Sequence, residues 1–387
     1  MPQPNRIGRF EVSTVGGERV RAHIPPSLPP TPLDLVRLQR PLEAAQIALG
    51  QLEGVSSIIP DPQRFLYAYV RKEAVLSSQI EGTQSSLSDL LAFEAEAAPT
   101  RSDDLIETSN YVTAMTHGLQ RLKEGFPLSL RLIREIHSEL LASGRGSHKQ
   151  PGAFRTSQNW IGGTRPGNAV FVPPPAHLVP ELMGDLELYL HKDDDPLPLL
   201  LRAGIAHVQF ETIHPFLDGN GRVGRLLVTF ILCAGGALSQ PLLYLSLFLK
   251  RHRDRYYDLL QAVRTHGAWE EWLAFFLEGV ATTAKQAFAT ARETLSVFRE
   301  DKDRLASMGR KGLSVGRVLD CLQTRPIATP KKLGHETGLS HPTVAGALDI
   351  LVRMGIVREI SGRARDRVYA YARYLDILNR DSEPLST

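Results

Sequence analysis

The 387-residue chain has only two cysteines, three tryptophans and a net charge close to zero. Cys233 and Cys321 lie in apolar helical patterns and exclude a disulfide framework, which favours a reducing, cytoplasmic compartment. The longest apolar stretch, residues 226–238, falls short of the roughly 20 residues of a membrane span and predicts a buried helix. The first residues lack the apolar core of a signal peptide. The sequence therefore predicts a protein without membrane segments.

Charge is distributed unevenly along the chain. Residues 310–380 carry 13 basic and 6 acidic side chains, a net charge of +7, whereas residues 1–309 are close to neutral. Whole-chain charge therefore indicates no class of partner, but the C-terminal segment is a basic module. The length predicts two to three domains, and the ordinary apolar and charged fractions exclude a mainly disordered or fibrous protein.

Most of the chain has helical periodicity. Apolar residues recur at helical spacing in residues 66–70, 130–141 and 179–190, and a long helix is expected from Trp269 to about Arg299. Residues 1–30 instead look extended, because glycine and proline pairs interrupt the spacing. The predicted fold class is mainly α.

Residues 156–175, which we name the flap, break the helical pattern. Two short β-type runs, Trp160–Ile161 and Val170–Val172, flank a turn rich in glycine and proline and predict a β-hairpin. Such a hairpin could simply connect two helices. Its position beside the segment described next favours a functional role.

The segment His214–Arg225 reads HPFLDGNGRVGR and has the features of a phosphate-binding turn. A histidine and an acid precede Gly-Asn-Gly, and the apolar run of a buried helix follows at once. The backbone N–H groups and the dipole at the start of such a helix attract anions. Glycine also lets a phosphate approach the backbone closely.

The charged side chains of this segment add the remaining chemistry. Arg222 and Arg225 would project from one side of the first helical turn and hold phosphate oxygens. Asp218 offers a hard oxygen ligand for Mg²⁺, and His214 can accept a proton near neutral pH. The set indicates transfer of a phosphorus-centred group to a hydroxyl. A Walker loop is excluded by its missing motif, and a zinc site is disfavoured because His207 and His214 have no third ligand nearby.

Residues 214–225 resemble the Fic motif, HPFx[D/E]GNGRxxR, at every fixed position. Similarity extends to Pro151–Arg155, the flap and the helices after the core, and covers about residues 30–300. Proteins of this family are typically adenylyltransferases, which move AMP from ATP to a Ser, Thr or Tyr hydroxyl and release pyrophosphate. The resemblance implies a Fic-type helical bundle with a β-hairpin flap, followed by a small winged-helix domain. The predicted boundaries are an N-terminal Fic-associated region with an inhibitory helix at 1–100, a catalytic core at 101–300, a linker at 301–312 and the winged-helix domain at 313–375. The linker is predicted because its segment is charged and holds two glycines.

The resemblance also implies a role for each motif residue. His214 would be the general base, and Asp218 would hold Mg²⁺ on the α- and β-phosphates of ATP. Gly219, Asn220 and Gly221 would form the anion hole, with the Asn220 side chain bonding a phosphate oxygen. Arg222 would contact the β-phosphate and Arg225 the γ-phosphate. The implied ATP-binding residues are Gly219, Asn220, Gly221, Arg222, Val223, Gly224, Arg225 and Tyr257.

The resemblance also implies contacts to the adenosine of ATP and to the target protein. Tyr257 would contact the adenosine, although a core aromatic residue is an equally open interpretation. The flap would align a segment of the target protein as an added strand and present its hydroxyl to the α-phosphorus.

A second segment, Val75–Thr83, resembles the inhibitory motif of the family, [S/T]xxxE[G/N]. Ser77, Glu81 and Gly82 occupy its matching positions. The resemblance implies that the Glu81 carboxylate pairs with Arg225 and takes the place of the γ-phosphate, so that ATP binds in a non-productive direction. An ordinary glutamate at the end of a helix is the alternative.

Residues 313–375 have a winged-helix pattern. Thr329 and Ser340 are expected to cap its second and third helices, and two wing strands flank the arginine-rich turn 362–367. One interpretation is DNA binding, with Ser340, His341 and Thr343 near the groove and the wing arginines on phosphates. A protein-interaction or dimerisation domain is the alternative.

Other functions stay open at this point. The chain could be a DNA-binding regulator or a toxin–antitoxin-like module whose Fic domain senses nucleotide, although the intact motif argues against an inactive domain. Relatives also transfer UMP, phosphate or phosphocholine, but the unbroken Gly-Asn-Gly and both arginines favour ATP. A homodimer is expected from the resemblance.

Overall fold

The computed structural model describes residues 4–58, 62–95, 102–192, 194–306 and 308–384. Its helices are α1 (Pro4–Ile7), α2 (Leu35–Ile58), α3 (Pro62–Ile80), α4 (Leu87–Glu94), α5 (Asp103–Lys123), α6 (Leu130–Leu140), α7 (Val179–Leu190), α8 (Leu199–Ile213), α9 (Asn220–Ala234), α10 (Ser246–Arg251), α11 (Arg253–His266), α12 (Trp269–Ala306), α13 (Arg310–Thr324), α14 (Pro330–Thr337), α15 (His341–Arg353) and α16 (Ala372–Asn379). Its strands are β1 (Arg9–Val15), β2 (Glu18–Ile24), β3 (Ile327–Ala328), β4 (Val357–Glu359) and β5 (Tyr369–Tyr371). The mainly helical prediction is confirmed.

The chain forms two compact units that do not follow the predicted boundaries. The first unit consists of residues 1–50, 110–239 and 248–283, and the second of residues 51–109, 240–247 and 284–387. The predicted boundaries were consecutive along the chain. Residues 51–109 belong instead with the C-terminal segment, because α3 packs within that unit.

The centre of the first unit is the pair α8 and α9. Nearly every residue of both helices is buried, which is the pattern of a helix surrounded by protein on all sides. Gly224 permits this packing, since a Cβ atom there would collide with the Glu211 side chain. The predicted buried helix at 226–238 is therefore confirmed as part of α9, which ends at Ala234.

The extended N-terminus is a β-hairpin. β1 pairs antiparallel with β2 in a register that runs from Arg9 opposite Ile24 to Val15 opposite Glu18. Gly16 and Gly17 connect the strands with φ of 57° and 82°, a backbone that favours glycine and suits a two-residue hairpin turn.

The flap is less regular than predicted. Its two β-type runs are joined by a single β-bridge, between Ile161 and Phe171. Pairing ends there because Gly162 and Gly163 have positive φ and residues 173–175 are prolines without an N–H donor. The second β-type run of the flap bonds instead to β2 of the N-terminal hairpin, since the His23 N–H donates to the Val172 carbonyl (2.9 Å).

The second unit contains the helices and strands that the C-terminal pattern predicted. They occur in the order α13, β3, α14, α15, β4, β5, and the strands form a sheet in the order β3-β5-β4. Thr329 caps α14 as predicted, accepting from the Lys332 N–H (3.3 Å). Ser340 stands at the predicted cap position of α15, but its hydroxyl lies 2.8 Å from the Thr343 hydroxyl and caps no backbone group.

The predicted linker at 301–312 is wrong. α12 continues to Ala306 and α13 begins at Arg310. The segment is rich in charged residues, yet Asp301 is buried and accepts a hydrogen bond from the Tyr371 hydroxyl (2.8 Å). A buried carboxylate with such a partner belongs to a packed helix rather than to a linker.

The described ranges can be compared with the expectations for membrane helices and for the two cysteines. No helix there combines the length and the apolarity needed to cross a membrane. Neither Cys233 nor Cys321 forms a disulfide.

Candidate active site

The turn between α8 and α9 carries the residues of the motif. His214 ends α8 with a left-handed backbone (φ 50°, ψ 61°), which non-glycine residues adopt rarely. Gly219 precedes α9 with φ 77°. A strained backbone of this kind persists only where its surroundings hold it.

Arg155 holds this turn. Its side chain is buried, and its guanidinium donates to the carbonyls of His214 (2.9 Å), Pro174 (2.6 Å) and Ser157 (3.2 Å). Its own N–H donates to the Pro215 carbonyl (2.9 Å). Burial lowers the pKa of Arg155 to about 10. Arg155 belongs to the family-like segment Pro151–Arg155, but no role in holding the motif turn was predicted for it.

His137 fixes the acidic end of the turn. The Gly152 N–H donates to its Nδ1 (2.8 Å), so Nε2 carries the proton and donates to the Asp218 carbonyl (3.0 Å). The ring stacks on Phe216 with centroids 3.7 Å apart. Burial lowers the pKa of His137 to about 4, so the ring is neutral at pH 7. His137 therefore positions the backbone of Asp218, a role that the sequence did not indicate.

His214 is the candidate base. Burial, reinforced by the positive charges of Arg264 and Arg155, lowers its pKa to about 3, while the backbone of Glu211 opposes the shift. The imidazole is therefore neutral at pH 7 and can take a proton. A polyanion bound beside it would raise its basicity, because nearby negative charge favours the protonated form.

Asp218 is the acidic side chain of the turn, and 38% of it is exposed. Its Oδ1 accepts from the Gly219 N–H (2.6 Å) and lies 3.5 Å from Nη2 of Arg222. An Mg²⁺ ion that keeps several waters and bridges phosphates needs only one or two carboxylates, so this donor fits it. In the described ranges no cluster of three or more His, Cys, Asp or Glu side chains could hold a metal ion by itself.

The zinc candidate His207 is a core histidine. Its Nδ1 donates to the Gly224 carbonyl (2.9 Å), and its Nε2 therefore accepts from the Tyr256 hydroxyl (2.8 Å). The ring also stacks against Trp272. Both ring nitrogens are thus engaged within the first unit.

Three of the predicted ATP-binding residues are buried in or beside the turn. Both ends of the Asn220 amide bond the backbone of Phe216, each at 2.8 Å, and the residue is buried. Its side chain therefore braces the turn. The amide nitrogen has a second N–H, and its predicted bond to a phosphate oxygen stays a prediction. Val223 and Gly224 face the core between α8 and α9 and are buried as well.

The first turn of α9 keeps the features of an anion site. Gly219, Asn220 and Gly221 place backbone at the positive end of the helix dipole, where phosphate binds readily. Arg222 and Arg225 arise from the same turn, and each is 4% exposed. The turn thus combines a neutral imidazole, a carboxylate, two guanidiniums and a helix N-terminus.

Two family models match this region of the chain. The model described as Fic/DOC family N-terminal covers residues 39–120, and the model described as Fic/DOC family covers residues 127–232. The residues that match this second model, 127–232, are called the Fic domain below. They contain α6 to α8, the flap, the whole motif turn and most of α9.

Curated relatives of the Fic domain are named as adenylyltransferases. A probable protein adenylyltransferase of Aquifex aeolicus is 26% identical over 61% of this chain and 66% of its own length. The protein adenylyltransferase Fic of Aedes aegypti is 36% identical over 35% of this chain and 24% of its own length. The chain thus spans less than two thirds of these relatives.

Solved structures share the fold. A Fic family protein from Desulfovibrio desulfuricans has a TM-score of 0.54 at 20% identity, covering 86% of this chain and 96% of its own. A Fic-domain signaling protein from Bacteroides thetaiotaomicron has a TM-score of 0.52 at 18% identity, covering 64% and 95%. The predicted Fic-type helical fold is confirmed.

Tyr257 lies beyond the Fic domain, on α11. It is 39% exposed, its ring lies 5.0 Å from that of Tyr256, and the Arg253 guanidinium lies 5.5 Å from its centroid. The core-aromatic interpretation is therefore wrong for Tyr257 and fits Tyr256 instead. Contact of Tyr257 with adenosine stays a prediction.

The inhibitory segment belongs to the second unit, where it ends α3. Ser77 is buried in the last turns of that helix, and Glu81 is the first residue after it. The Glu81 N–H donates to the Ser78 carbonyl (3.0 Å), and Gly82 follows with φ 101°, which requires glycine. The sequence thus places a carboxylate directly at a helix C-terminus.

Proposed function

We propose that this chain is a Mg²⁺-dependent protein adenylyltransferase. It transfers AMP from ATP to a Ser, Thr or Tyr hydroxyl of a target protein and releases pyrophosphate. The observation that carries the proposal is the single turn between α8 and α9, which presents a neutral His214 and Asp218 next to a helix N-terminus with two arginines. The names of the matched relatives support it.

Transfer of AMP requires mainly that the residues of the turn position ATP and the target hydroxyl and neutralise the charge of the phosphates. ATP would bind with its phosphates at the first turn of α9, Arg222 near the β-phosphate and Arg225 near the γ-phosphate. The target oxygen would form a bond to the α-phosphorus while the bond to the bridging oxygen of the β-phosphate breaks. His214 would take the proton of the attacking hydroxyl. Asp218 would hold Mg²⁺, which when bound neutralises phosphate charge.

The experiment that tests this proposal follows the two ends of ATP separately. The protein is incubated with Mg²⁺ and ATP labelled on the α-phosphate, and in parallel with ATP labelled on the γ-phosphate. Label from the α-phosphate is expected on protein hydroxyls, and label from the γ-phosphate in pyrophosphate. Mass spectrometry of the modified peptides locates the site.

Two outcomes would contradict the proposal. Label from the γ-phosphate on protein would indicate phosphate transfer instead. Binding of ATP without incorporation of either label, also in a Glu81→Gly variant, would favour the nucleotide-sensing alternative.

Autoinhibition by Glu81 is part of the proposal. A carboxylate at a helix C-terminus faces the negative end of the dipole, so it is unfavourable there unless a cation accompanies it. Glu81 therefore calls for a cationic partner, for which the family pattern implies Arg225. α3 itself is anchored within the second unit, since Lys72 Nζ donates to the Arg380 carbonyl (2.9 Å) and Gln79 Nε2 to the Ser382 carbonyl (3.0 Å).

A second function is proposed for residues 313–375, as a winged-helix domain that binds DNA. Arg363, Arg365 and Arg367 are all exposed on the turn between β4 and β5, and His341 is exposed at the start of α15. Guanidiniums on a projecting turn suit contacts to phosphates. The homodimer that the family pattern implies and the cytoplasmic location that the low cysteine content favours both stay predictions.

Salt dependence tests this second function. In gel shifts with a DNA duplex, affinity of the full chain is expected to fall steeply with salt. The triple variant R363Q/R365Q/R367Q is expected to reduce the slope of log affinity against log salt by roughly 2 to 3, because each phosphate contact contributes about 0.9.

The control changes the same charge elsewhere in the second unit. Lys285, Arg292 and Arg299 are exposed on α12, and their triple glutamine variant should keep the wild-type slope. Equal slopes for all three proteins, or no shift at low salt, would leave protein interaction as the role of this domain.

A further inference from the structure

A cavity of about 280 Å³ opens between the β1–β2 hairpin, the flap and α11. It lies outside the motif turn, and no role in the proposed reaction has been given to it. The side chains that matter for its chemistry are Phe10, Arg19, Arg21, Phe171, Gln261 and Arg264.

The cavity is strongly cationic. Arg19 and Arg21 are exposed, and they share one face of β2 because alternate residues of a strand point the same way. Arg264 adds a third guanidinium, and none of the lining residues that the structure describes is Asp or Glu. Glu18 at its outer end is engaged by Arg165 (2.8 Å) and the Gly167 N–H (2.6 Å), and the Glu211 carboxylate acts electrostatically on Arg264. The accessible positive charge of the lining therefore comes mainly from the exposed Arg19 and Arg21.

The inner wall of the cavity adjoins the catalytic turn. Arg264 donates to the Glu211 carbonyl (3.0 Å) and to the Thr212 hydroxyl (3.2 Å), and Thr212 lies two residues before His214. The guanidinium lies 3.9 Å from the centroid of Phe171 in the flap. A group bound against Arg264 would thus sit beside the flap and close to the base.

The outer wall is held in place by the hairpin. His23 on β2 bonds the flap backbone at Val172, and Val20 and Ala22 form a buried cluster with Val172. His23 itself is buried and neutral, with Nε2 donating to the Ile7 carbonyl (2.6 Å). The cavity is therefore bounded by secondary structure rather than by loose side chains.

The geometry favours a small anion over a nucleoside. The Arg21 guanidinium covers one face of Phe10 at 4.4 Å from the centroid, and Arg264 covers one face of Phe171, so these two covered faces are closed to a stacking base. The volume also lies below the roughly 300–1,000 Å³ of typical small-molecule sites. A carboxylate suits guanidinium forks, which bind it bidentately.

We infer that this cavity is a specificity pocket that receives an acidic side chain, Asp or Glu, of the target segment docked along the flap. The inference rests on the proposed adenylyltransfer to proteins, because it names the kind of substrate that reaction would select. The pocket would choose targets with a carboxylate near the modified hydroxyl.

Peptide binding tests the pocket independently of AMP transfer. Two pools of fluorescent peptides, each with a central Thr or Tyr, carry either Glu or Gln at the flanking positions. Fluorescence anisotropy without ATP is expected to give at least about tenfold tighter binding of the Glu pool to the full chain. The variant R19Q/R21Q should bind both pools alike, and R9Q, which removes an exposed arginine from the opposite face of the hairpin, should keep the preference.

A charge reversal separates specificity from structure. R19E/R21E is expected to prefer a third pool with Lys at the flanking positions, a gain that a merely misfolded hairpin would not show. An unchanged Glu preference in R19Q/R21Q, no preference in wild type, or weaker ATP binding as the sole defect of R19Q/R21Q would overturn the pocket. A phosphoserine pool binding over tenfold tighter than the Glu pool would also overturn it, in favour of a phosphoprotein target. If the wild-type protein prefers the Glu pool but transfers no AMP, that result would count against the proposed function and not against the pocket.

Discussion

Replacing His214 by alanine is expected to lower AMP transfer by at least about 100-fold, while ATP affinity stays within about twofold of wild type. A positioned general base typically contributes 10² to 10⁴ in rate, and in the motif turn His214 is the side chain suited to take the hydroxyl proton. ATP affinity should persist because the phosphates are bound by the first turn of α9 and its arginines. Initial rates with α-labelled ATP and equilibrium nucleotide binding measure the two quantities.

The backbone at position 214 calls for a second variant. The backbone of His214 has a left-handed conformation, which alanine disfavours and asparagine tolerates. His214→Asn is therefore expected to be as inactive as the alanine variant and to unfold at the wild-type temperature. His177→Ala, an exposed histidine on the turn before α7, should remain fully active. Near-wild-type labelling by either His214 variant would remove the base from the mechanism.

The same imidazole predicts the pH dependence of the reaction. Burial and two guanidiniums lower the pKa of His214 to about 3, so the free enzyme keeps the base neutral as pH falls through 6.5, where an ordinary histidine becomes half protonated. The acid limb of kcat/KM is thus expected below about pH 5. The negative charge of bound ATP is expected to raise the pKa of His214. The acid limb of the kcat profile should therefore lie at higher pH than the acid limb of the kcat/KM profile.

The sequence was sufficient to predict features that depend on local pattern. The periodicities at 130–141 and 179–190 became α6 and α7, and the extended pattern of residues 1–30 became strands β1 and β2. The motif was predictable for the same reason, since the helix that begins at Asn220 and its arginines are neighbours in sequence.

Features that depend on distant residues were not predictable. Arg155 and His137 act on the motif turn from about 60 to 80 positions away, and no sequence pattern links them to it. The bracing contacts of Asn220 were missed as well, because their partner, the backbone of Phe216, has no sequence signature. The linker at 301–312 failed similarly, because the hydroxyl that makes burial of Asp301 tolerable lies 70 residues later, on Tyr371.

Replacing Glu81 by glycine is expected to raise the initial rate of AMP incorporation at least about tenfold, equivalent to about 1.4 kcal/mol. If the Glu81 carboxylate occupies the guanidinium that the γ-phosphate needs, its removal lets ATP bind in the productive direction. Glutamine at this position keeps the size of the side chain but removes its charge. Glu81→Gln should therefore be activated nearly as much as Glu81→Gly, since the competition is electrostatic.

The chain offers a matched control for a glutamate at the end of a helix. Glu124 directly follows α5 and precedes Gly125, which has φ 82°, just as Glu81 follows α3 and precedes Gly82. Glu124→Gly changes the same local chemistry within the first unit and is expected to leave the rate unchanged. Equal rates for wild type and Glu81→Gly would show that the inhibitory motif is inert here. Activation by Glu124→Gly as well would attribute the effect to a loosened helix end rather than to competition for Arg225.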